Sequence, residues 1–221
     1  MNVQEATTRR LPDLKERHLP ENCRETINTI LKETYGYEQF RNLEIYDDLS
    51  KGKEKLCISQ GQLIENVILE AEKAWKGETQ VDNILLTAPT GSGKSLLFQL
   101  PAIYLGKEYN LLTIVVSPLK ALIVDQVESL QELGYTRVAY ASSDLSPEQK
   151  MEVYRQVREG EIDLFYLSPE LLLSYDIKHF VGERRIGLVV VDEAHTVTTW
   201  GKEFRVDYWF LGRYLNTLKQ T

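Results

Sequence analysis

The sequence predicts an α/β fold with a mostly parallel sheet and helices on both faces, and three observations carry that prediction. Short apolar runs alternate with helical patterns of about ten to fifteen residues, the rhythm of strand–helix–strand units. The apolar runs are continuous, as in Leu112 to Val116 and Leu188 to Val191, which marks strands covered on both faces. Two of these runs end in chemistry: glycines and a lysine follow one, adjacent carboxylates follow another. Open sheets of this kind bind ligands at those strand ends.

Taken in order, residues 1–22 are polar, contain Pro12 and Pro20 and lack periodicity, so they are expected to form a loose arm. A helix is expected from Asn22 to Thr34, with Ile27, Ile30 and Leu31 on one face and Gly36 as its stop. The mixed-sign run Asp47 to Lys55 reads as a solvated surface loop or insertion. A second helix carries Leu63, Ile64, Val67, Ile68, Ala71 and Trp75 at helical spacing and ends before Gly77. The first strand, Asn83 to Thr87, leads through a glycine-rich loop into a helix from Leu96 to Tyr104. The second, Leu112 to Val116, precedes a helix bearing Leu119, Leu122, Ile123, Val127, Leu130 and Leu133, closed by Gly134. A short strand follows at Val138 to Tyr140. Ser146-Pro147-Glu148-Gln149 places an N-cap, a first-turn proline and a capping-box glutamine in order, so a helix starts there. Strand Leu164 to Leu167, a helix from Pro169 and strand Leu188 to Val191 complete the series.

The bulk numbers narrow the classes. A length of 221 residues allows one sizeable core without requiring two domains. No apolar stretch approaches a membrane span, and the N-terminus lacks a basic-then-apolar leader, so neither membrane nor secretion is expected. Cys23 and Cys57 offer neither a disulfide framework nor metal-ligand spacing. A cytoplasmic setting, or a nuclear one in a eukaryote, follows. A net charge of −7 argues against gripping nucleic acid by bulk electrostatics, so any such contact must be local.

Ala88-Pro89-Thr90-Gly91-Ser92-Gly93-Lys94-Ser95 fits the phosphate-loop pattern G-x-x-x-x-G-K-[ST], with Ala88 in place of the first glycine. Gly91 and Gly93 let backbone N–H groups turn inward around phosphate oxygens, in company with Thr90 and Ser92. Lys94 sets a positive charge against the β- and γ-phosphates, and the Ser95 hydroxyl is a ligand for Mg²⁺. A helix starting there adds its positive dipole end. About a hundred residues on, Val189-Val190-Val191-Asp192-Glu193-Ala194-His195 ends a strand in two carboxylates. They can divide the labour, Asp192 holding Mg²⁺ and Glu193 taking a proton from an attacking water.

These residues resemble a family. Asp192-Glu193-Ala194-His195 is similar to the box of the DEAH-type helicases of superfamily 2. The flank Thr196 to Tyr208 resembles the aromatic-rich loop that RecQ-like DNA helicases carry after that box. Ser117 to Val127 is similar to their motif Ia, Tyr166-Leu167-Ser168-Pro169-Glu170 to motif Ib, and Leu31 to Arg41 to motif 0. The resemblance implies a RecA-like P-loop NTPase domain over residues 23–221, with ATP and Mg²⁺ as cofactors. Its substrate would be single-stranded or partly duplex DNA.

The resemblance also implies roles. Tyr37 and Arg41 would sandwich adenine. A glutamine is expected shortly after Phe40-Arg41 to read the base edge; Glu44 holds that spacing but lacks an amide donor, so Gln62 is preferred, with an insertion near 43–61. The alternative is that Gln62 is a helix N-terminal surface residue. His195 would stand beside the γ-phosphate end. Trp200 and Phe204 would stack on bases and Arg205 contact a phosphate, unless this aromatic cluster is simply local core. Lys120 and Ser168 are candidate backbone-phosphate contacts, with plain surface roles as the alternative. The sequence reaches Thr221 before a motif III or a second RecA-like domain, which in the family supplies arginines to the γ-phosphate. The expected activity is that of an ATP-dependent, RecQ-like DNA helicase whose fragment does not unwind alone. The alternatives are an RNA helicase or another superfamily 2 translocase, or a non-catalytic, nucleotide-gated nucleic-acid-binding module.

Overall fold

A computed structural model describes residues 19–46, 55–86 and 91–194. The chain runs α1 (Glu25–Tyr35), β1 (Asn42–Tyr46), β2 (Lys55–Ser59), α2 (Gln60–Trp75), α3 (Leu96–Tyr109), β3 (Leu112–Val116) and α4 (Lys120–Glu132). It continues through β4 (Val138–Ala141), α5 (Pro147–Arg158), β5 (Leu164–Leu167), α6 (Pro169–Ser174), α7 (Ile177–Val181) and β6 (Ile186–Val191).

The main sheet has the order β4-β5-β3-β6, and every pairing in it is parallel. All five residues of β3 are buried, and their alternation feeds two cores. Leu112, Ile114 and Val116 pack with Tyr154, Val157 and Phe180 of α5 and α7. Val115, with Leu164 and Tyr166 of β5, packs with Ile27, Ile64, Ile103 and Val127 of α1 to α4. The predicted α/β architecture with helices on both faces is therefore present.

Several sequence expectations hold to within a residue or two. The capping box at Ser146 and Gln149 forms, and Gly36, Gly77 and Gly134 close their helices at positive φ of 69°, 80° and 84°. Others are corrected. The arm does not begin its order at residue 22: Leu19 already packs on the core, and Gln62 Nε2 donates to the Pro20 carbonyl at 3.1 Å. The helix after the phosphate loop continues past Tyr104 to Tyr109 despite Pro101, because tertiary packing buries it on nearly every side. Residues 83–86 form no strand among the described residues, and Leu85 is 68% exposed. The short helix α7 was not foreseen.

The charged run near 47–55 proves to be bracketed by a hairpin. β1 and β2 pair antiparallel with Asn42 opposite Ser59, so the chain leaves and returns at one place. Across that neck Gln60 N–H donates to the Arg41 carbonyl at 2.9 Å.

Two charged knots fasten the fold. Arg24 binds Glu65 and Glu72 at 2.6 Å each, and Glu72 also accepts from Tyr104 and Tyr109 at 3.1 and 2.9 Å. Burial pushes the Glu72 carboxyl up, but these donors outweigh it and hold it below its ordinary value. The Cys23 thiol beside this knot is pushed up to about 12, by burial first and by Glu65 second. Against another face of the same C-terminal end of α3, Asp163 is fully buried and accepts from Tyr135 at 3.0 Å, Arg137 at 2.6 Å and Arg184 at 3.1 Å. Gly106 is required there, since a Cβ would lie 2.3 Å from the Asp163 carboxyl carbon. Among the described residues no helix is long and apolar enough to cross a membrane.

Candidate nucleotide-binding site

Among the predicted site residues that are described, Gly91 to Ser95 lead into α3, while Lys120, Ser168 and Asp192 follow β3, β5 and β6 beyond their C-terminal ends. Gly91 and Gly93 adopt φ of 79° and 77°, a region costly for any residue with a Cβ. Gly93 is doubly constrained, because a Cβ there would lie 2.7 Å from the Gln60 amide nitrogen. Ser92 holds its hydroxyl buried with no partner among the described residues, the kind of orphan that a ligand can satisfy.

Gln60 organises this corner. Its side chain is almost wholly buried; Nε2 donates to the Ser92 carbonyl at 3.1 Å, and Oε1 accepts from the Arg41 N–H at 3.2 Å. One amide thus ties the segment of Tyr37 and Arg41 to the glycine loop. A carboxylate could not do both, since it has no donor.

Gln62 is placed differently, at the helix N-terminal position that the sequence analysis held as its alternative. Two residues apart on a helix means about 200° of rotation, so Gln60 and Gln62 face nearly opposite ways. Gln62 is the N3 residue of α2: its Oε1 accepts from Ser59 N–H at 3.0 Å and its Nε2 reaches back to Pro20. Glu44 lies in β1 opposite Cys57, carried away by the hairpin. The signal for Gln60 was present in the sequence, because it precedes Leu63, Ile64, Val67 and Ile68 at +3, +4, +7 and +8, on the buried stripe. Tyr37 is half-exposed and stacked on Tyr35, with centroids 6.3 Å apart.

Ser95 opens α3 without capping it; no bond runs from its hydroxyl to the helix N–H groups. Instead the oxygen accepts from Gln126 Nε2 at 3.0 Å. Asp192 follows β6, and its N–H donates to the Val116 carbonyl at 2.9 Å, which fixes it beside the end of β3. Its Oδ1 accepts from the N–H of Glu193 at 2.9 Å. Glu193 has φ of 50°, a left-handed conformation that costs a non-glycine residue about 1 kcal/mol or more. Such strain persists only where the surroundings enforce it, and it clusters at functional positions. Ser117, at the end of β3, keeps a second buried hydroxyl without a partner among the described residues.

Two expected nucleic-acid contacts are occupied. Lys120, the first residue of α4, is bound to Ser143 and to Asp144 at 3.0 Å. Ser168 is buried and caps α6 by accepting from Leu171 N–H at 3.3 Å, so it is not a surface group. Thr90, His195, Trp200, Phe204 and Arg205 lie outside the described residues.

With loop, box and strand order in place, comparison with known proteins decides the family. Residues 62–220, most of the chain, match the family model for DEAD/DEAH box helicases. The chain belongs to the DEAD/DEAH box helicase family. Within that family it is similar to RecQ proteins. It is 30% identical over 187 residues to the ATP-dependent DNA helicase RecQ of Haemophilus influenzae, covering 85% of this chain and 25% of that protein. It is 34% identical over 191 residues to RecQ of Synechocystis, covering 86% and 33%. The ATP-dependent DNA helicase Q-like 5 of Arabidopsis thaliana is 34% identical, covering 83% and 17%. The chain therefore spans about a third or less of the length of these helicases. The family match begins at residue 62, so the hairpin and Gln60 lie outside it.

Proposed function

We propose that this chain is the nucleotide-binding motor domain of an ATP-dependent, RecQ-like DNA helicase. The observation that carries the reading is the Gln60 bridge, which joins Arg41 to Ser92 of the glycine loop and so makes one site of a base-binding segment and a phosphate cradle. Similarity to DNA helicases supports the choice of DNA as the track.

In this reading Tyr37 and Arg41 hold the adenine, and the N–H groups of Thr90 to Ser95 and the Lys94 ammonium receive the phosphates. Ser95 and Asp192 suit Mg²⁺, which takes one or two protein oxygens and completes its shell with water and phosphate. When bound, that ion neutralises charge on the transferring phosphoryl group. Glu193 takes the proton of the attacking water, and the backbone strain at φ of 50° supports an enforced placement of that base. His195, Trp200, Phe204 and Arg205 would pass the presence of single-stranded DNA to this centre. A second RecA-like domain would close the cleft and supply the remaining positive charge, so residues 23–221 alone would hydrolyse slowly and unwind nothing.

The test is steady-state ATP hydrolysis by the longer parent protein with no nucleic acid, with single-stranded DNA and with RNA. Strong stimulation by DNA alone, abolished by Trp200→Ala, is expected. Equal stimulation by RNA would move the reading to a general superfamily 2 motor. Nucleotide binding with no turnover under any condition would leave a recruitment module instead.

A further inference from the structure

Behind the phosphate loop lies an unbroken chain of neutral hydrogen bonds. Tyr35 O–H donates to Gln99 Oε1 at 2.9 Å, and Gln99 Nε2 donates to Tyr166 at 3.2 Å and to Gln126 Oε1 at 2.8 Å. Gln126 Nε2 then donates to the Ser95 hydroxyl at 3.0 Å. Four elements meet in it: α1 gives Tyr35, α3 gives Gln99 with Ser95 just before its first residue, α4 gives Gln126, and β5 gives Tyr166. Gln99 and Tyr166 are buried, and burial first, with the Asp192 charge as a smaller cause, raises the Tyr166 hydroxyl above its ordinary value.

Such a chain has two self-consistent directions. Turning both amides over gives Ser95 O–H to Gln126 Oε1, Gln126 Nε2 to Gln99 Oε1, and Gln99 Nε2 to Tyr35, with Tyr166 O–H donating to Gln99. Each of the four contacts keeps one donor and one acceptor in either direction, the chain ending on the Tyr166 hydroxyl in the first and on the Tyr35 hydroxyl in the second, and low local dielectric makes the bonds rise and fall together. The directions differ at the loop. In the first, Ser95 oxygen spends a lone pair on Gln126; in the second, its lone pairs are turned to the site and its proton is held behind.

Resting on the nucleotide-binding reading above, we infer that Gln126 is a positioning residue for the cation site, and that cation binding to Ser95 reverses the Gln126–Gln99 chain. The oxygen of a cation-bound hydroxyl gives up electron density and becomes the better donor, so the ion selects the direction in which Gln126 accepts. The reversal carries that state to Tyr35 beside Tyr37, to Tyr166 on β5, and to α4, whose first residue is Lys120. Gln126 touches neither phosphate nor ion; it acts through Ser95.

The experiment measures ADP affinity of the 221-residue chain by calorimetry, with Mg²⁺ and with a chelator, for the wild type, Gln126→Leu and Gln126→Glu. Leucine removes the acceptor, so the gain in affinity from Mg²⁺ should shrink about tenfold, as for other residues that orient a metal ligand. Affinity in chelator should be unchanged. A glutamate at 126 accepts from Ser95 and from Gln99 together, which fixes the second direction at Ser95 while leaving Gln99 in the first, and should keep the Mg²⁺ gain at or above wild type. A melting curve for each variant separates loss of fold from loss of coupling. Equal Mg²⁺ gains in leucine and glutamate variants that melt with the wild type would overturn the inference while leaving nucleotide binding intact. A wild-type chain that binds no ADP, or a Lys94→Ala variant that binds as well as wild type, would overturn the functional reading itself, and this inference with it.

Discussion

The two ends of the parallel sheet handle buried polar groups in opposite ways. Before β5, at the N-terminal end, Asp163 is closed inside Tyr135, Arg137 and Arg184, and Arg184 further binds the Val157 carbonyl at 3.1 Å. Every charge there is answered by another part of the chain. Beyond the C-terminal ends, the buried network is neutral and ends on Ser95, while Ser92 and Ser117 hold hydroxyls with no described partner and Glu193 is strained. At the first end folding answers the charges, and the Thr113 hydroxyl is buried there without a partner among the described residues. The other has the donors, acceptors and strain that a ligand completes, which is where ligands bind in open α/β sheets.

The comparison is broken most severely at Asp163. Asp163→Ala leaves Arg184, with only 5% of its side chain exposed, buried without its carboxylate, which should cost about 3–5 kcal/mol. The denaturation midpoint should fall with an unchanged slope, and ADP affinity of the folded protein should not move. A variant that keeps its stability but loses nucleotide would show that the two ends are not separable.

Next comes the Arg24 knot, which is structural but lies nearer the surface. Arg24→Ala should cost about 2 kcal/mol, less than at Asp163 because Arg24 is partly solvated. Acid sharpens the test. The folded pKa of Glu72 is depressed, so its stabilisation is complete above its unperturbed value of 4.5 and is lost as pH falls through the lower folded value. Wild type should therefore lose stability in that window, and the Arg24→Ala variant should lose less of it.

The third test uses Gln60 and Gln62, the pair that the sequence reading confused. Gln60→Ala should weaken ADP binding about tenfold, roughly one net hydrogen bond to the loop, with a small change in stability. Gln62→Ala should leave ADP binding alone and cost about 1 kcal/mol, because it removes half of the capping box that starts α2. Reversed outcomes would restore the original assignment.

What was legible followed from local rules. The buried strands, the capping box at Ser146 and the closing glycines all write themselves into short windows, and so did the loop and the acid pair. The hairpin did not, because strand pairing of Asn42–Tyr46 with Lys55–Ser59 depends on a partner across a charged run whose composition favours solvent. Residues 83–86 failed the other way. Their apolar pattern is strand-like, but a strand exists only as part of a ladder, and no ladder among the described residues includes them. Gln60 was missed because family spacing outweighed helical phase, although phase alone would have placed it on the buried stripe. Lys120 and Ser168 were judged by residue type, while their partners, Asp144 and the first turn of α6, were visible only in three dimensions.

The smallest effect tests the strain itself. Most substitutions destabilise, so a site variant that does not is informative. Glycine adopts a φ of 50° without the Cβ clash, which should return about 1 kcal/mol, partly offset by the greater freedom of glycine in the unfolded chain. Glu193→Gly should therefore melt at or slightly above the wild type while hydrolysis by the parent protein is lost. Glu193→Gln removes the base but keeps the strain; it should melt with the wild type and slow hydrolysis by about 10²–10⁴-fold. If glycine instead lowers the melting point as much as an ordinary surface loss would, the left-handed turn is set by the chain around it at no cost. The contrast between the two ends of the sheet would then rest on the charged knot at Asp163 against the neutral network at Ser95. If glycine raises it, the carboxylate is held in place at the expense of stability, as a group positioned for chemistry rather than for folding would be.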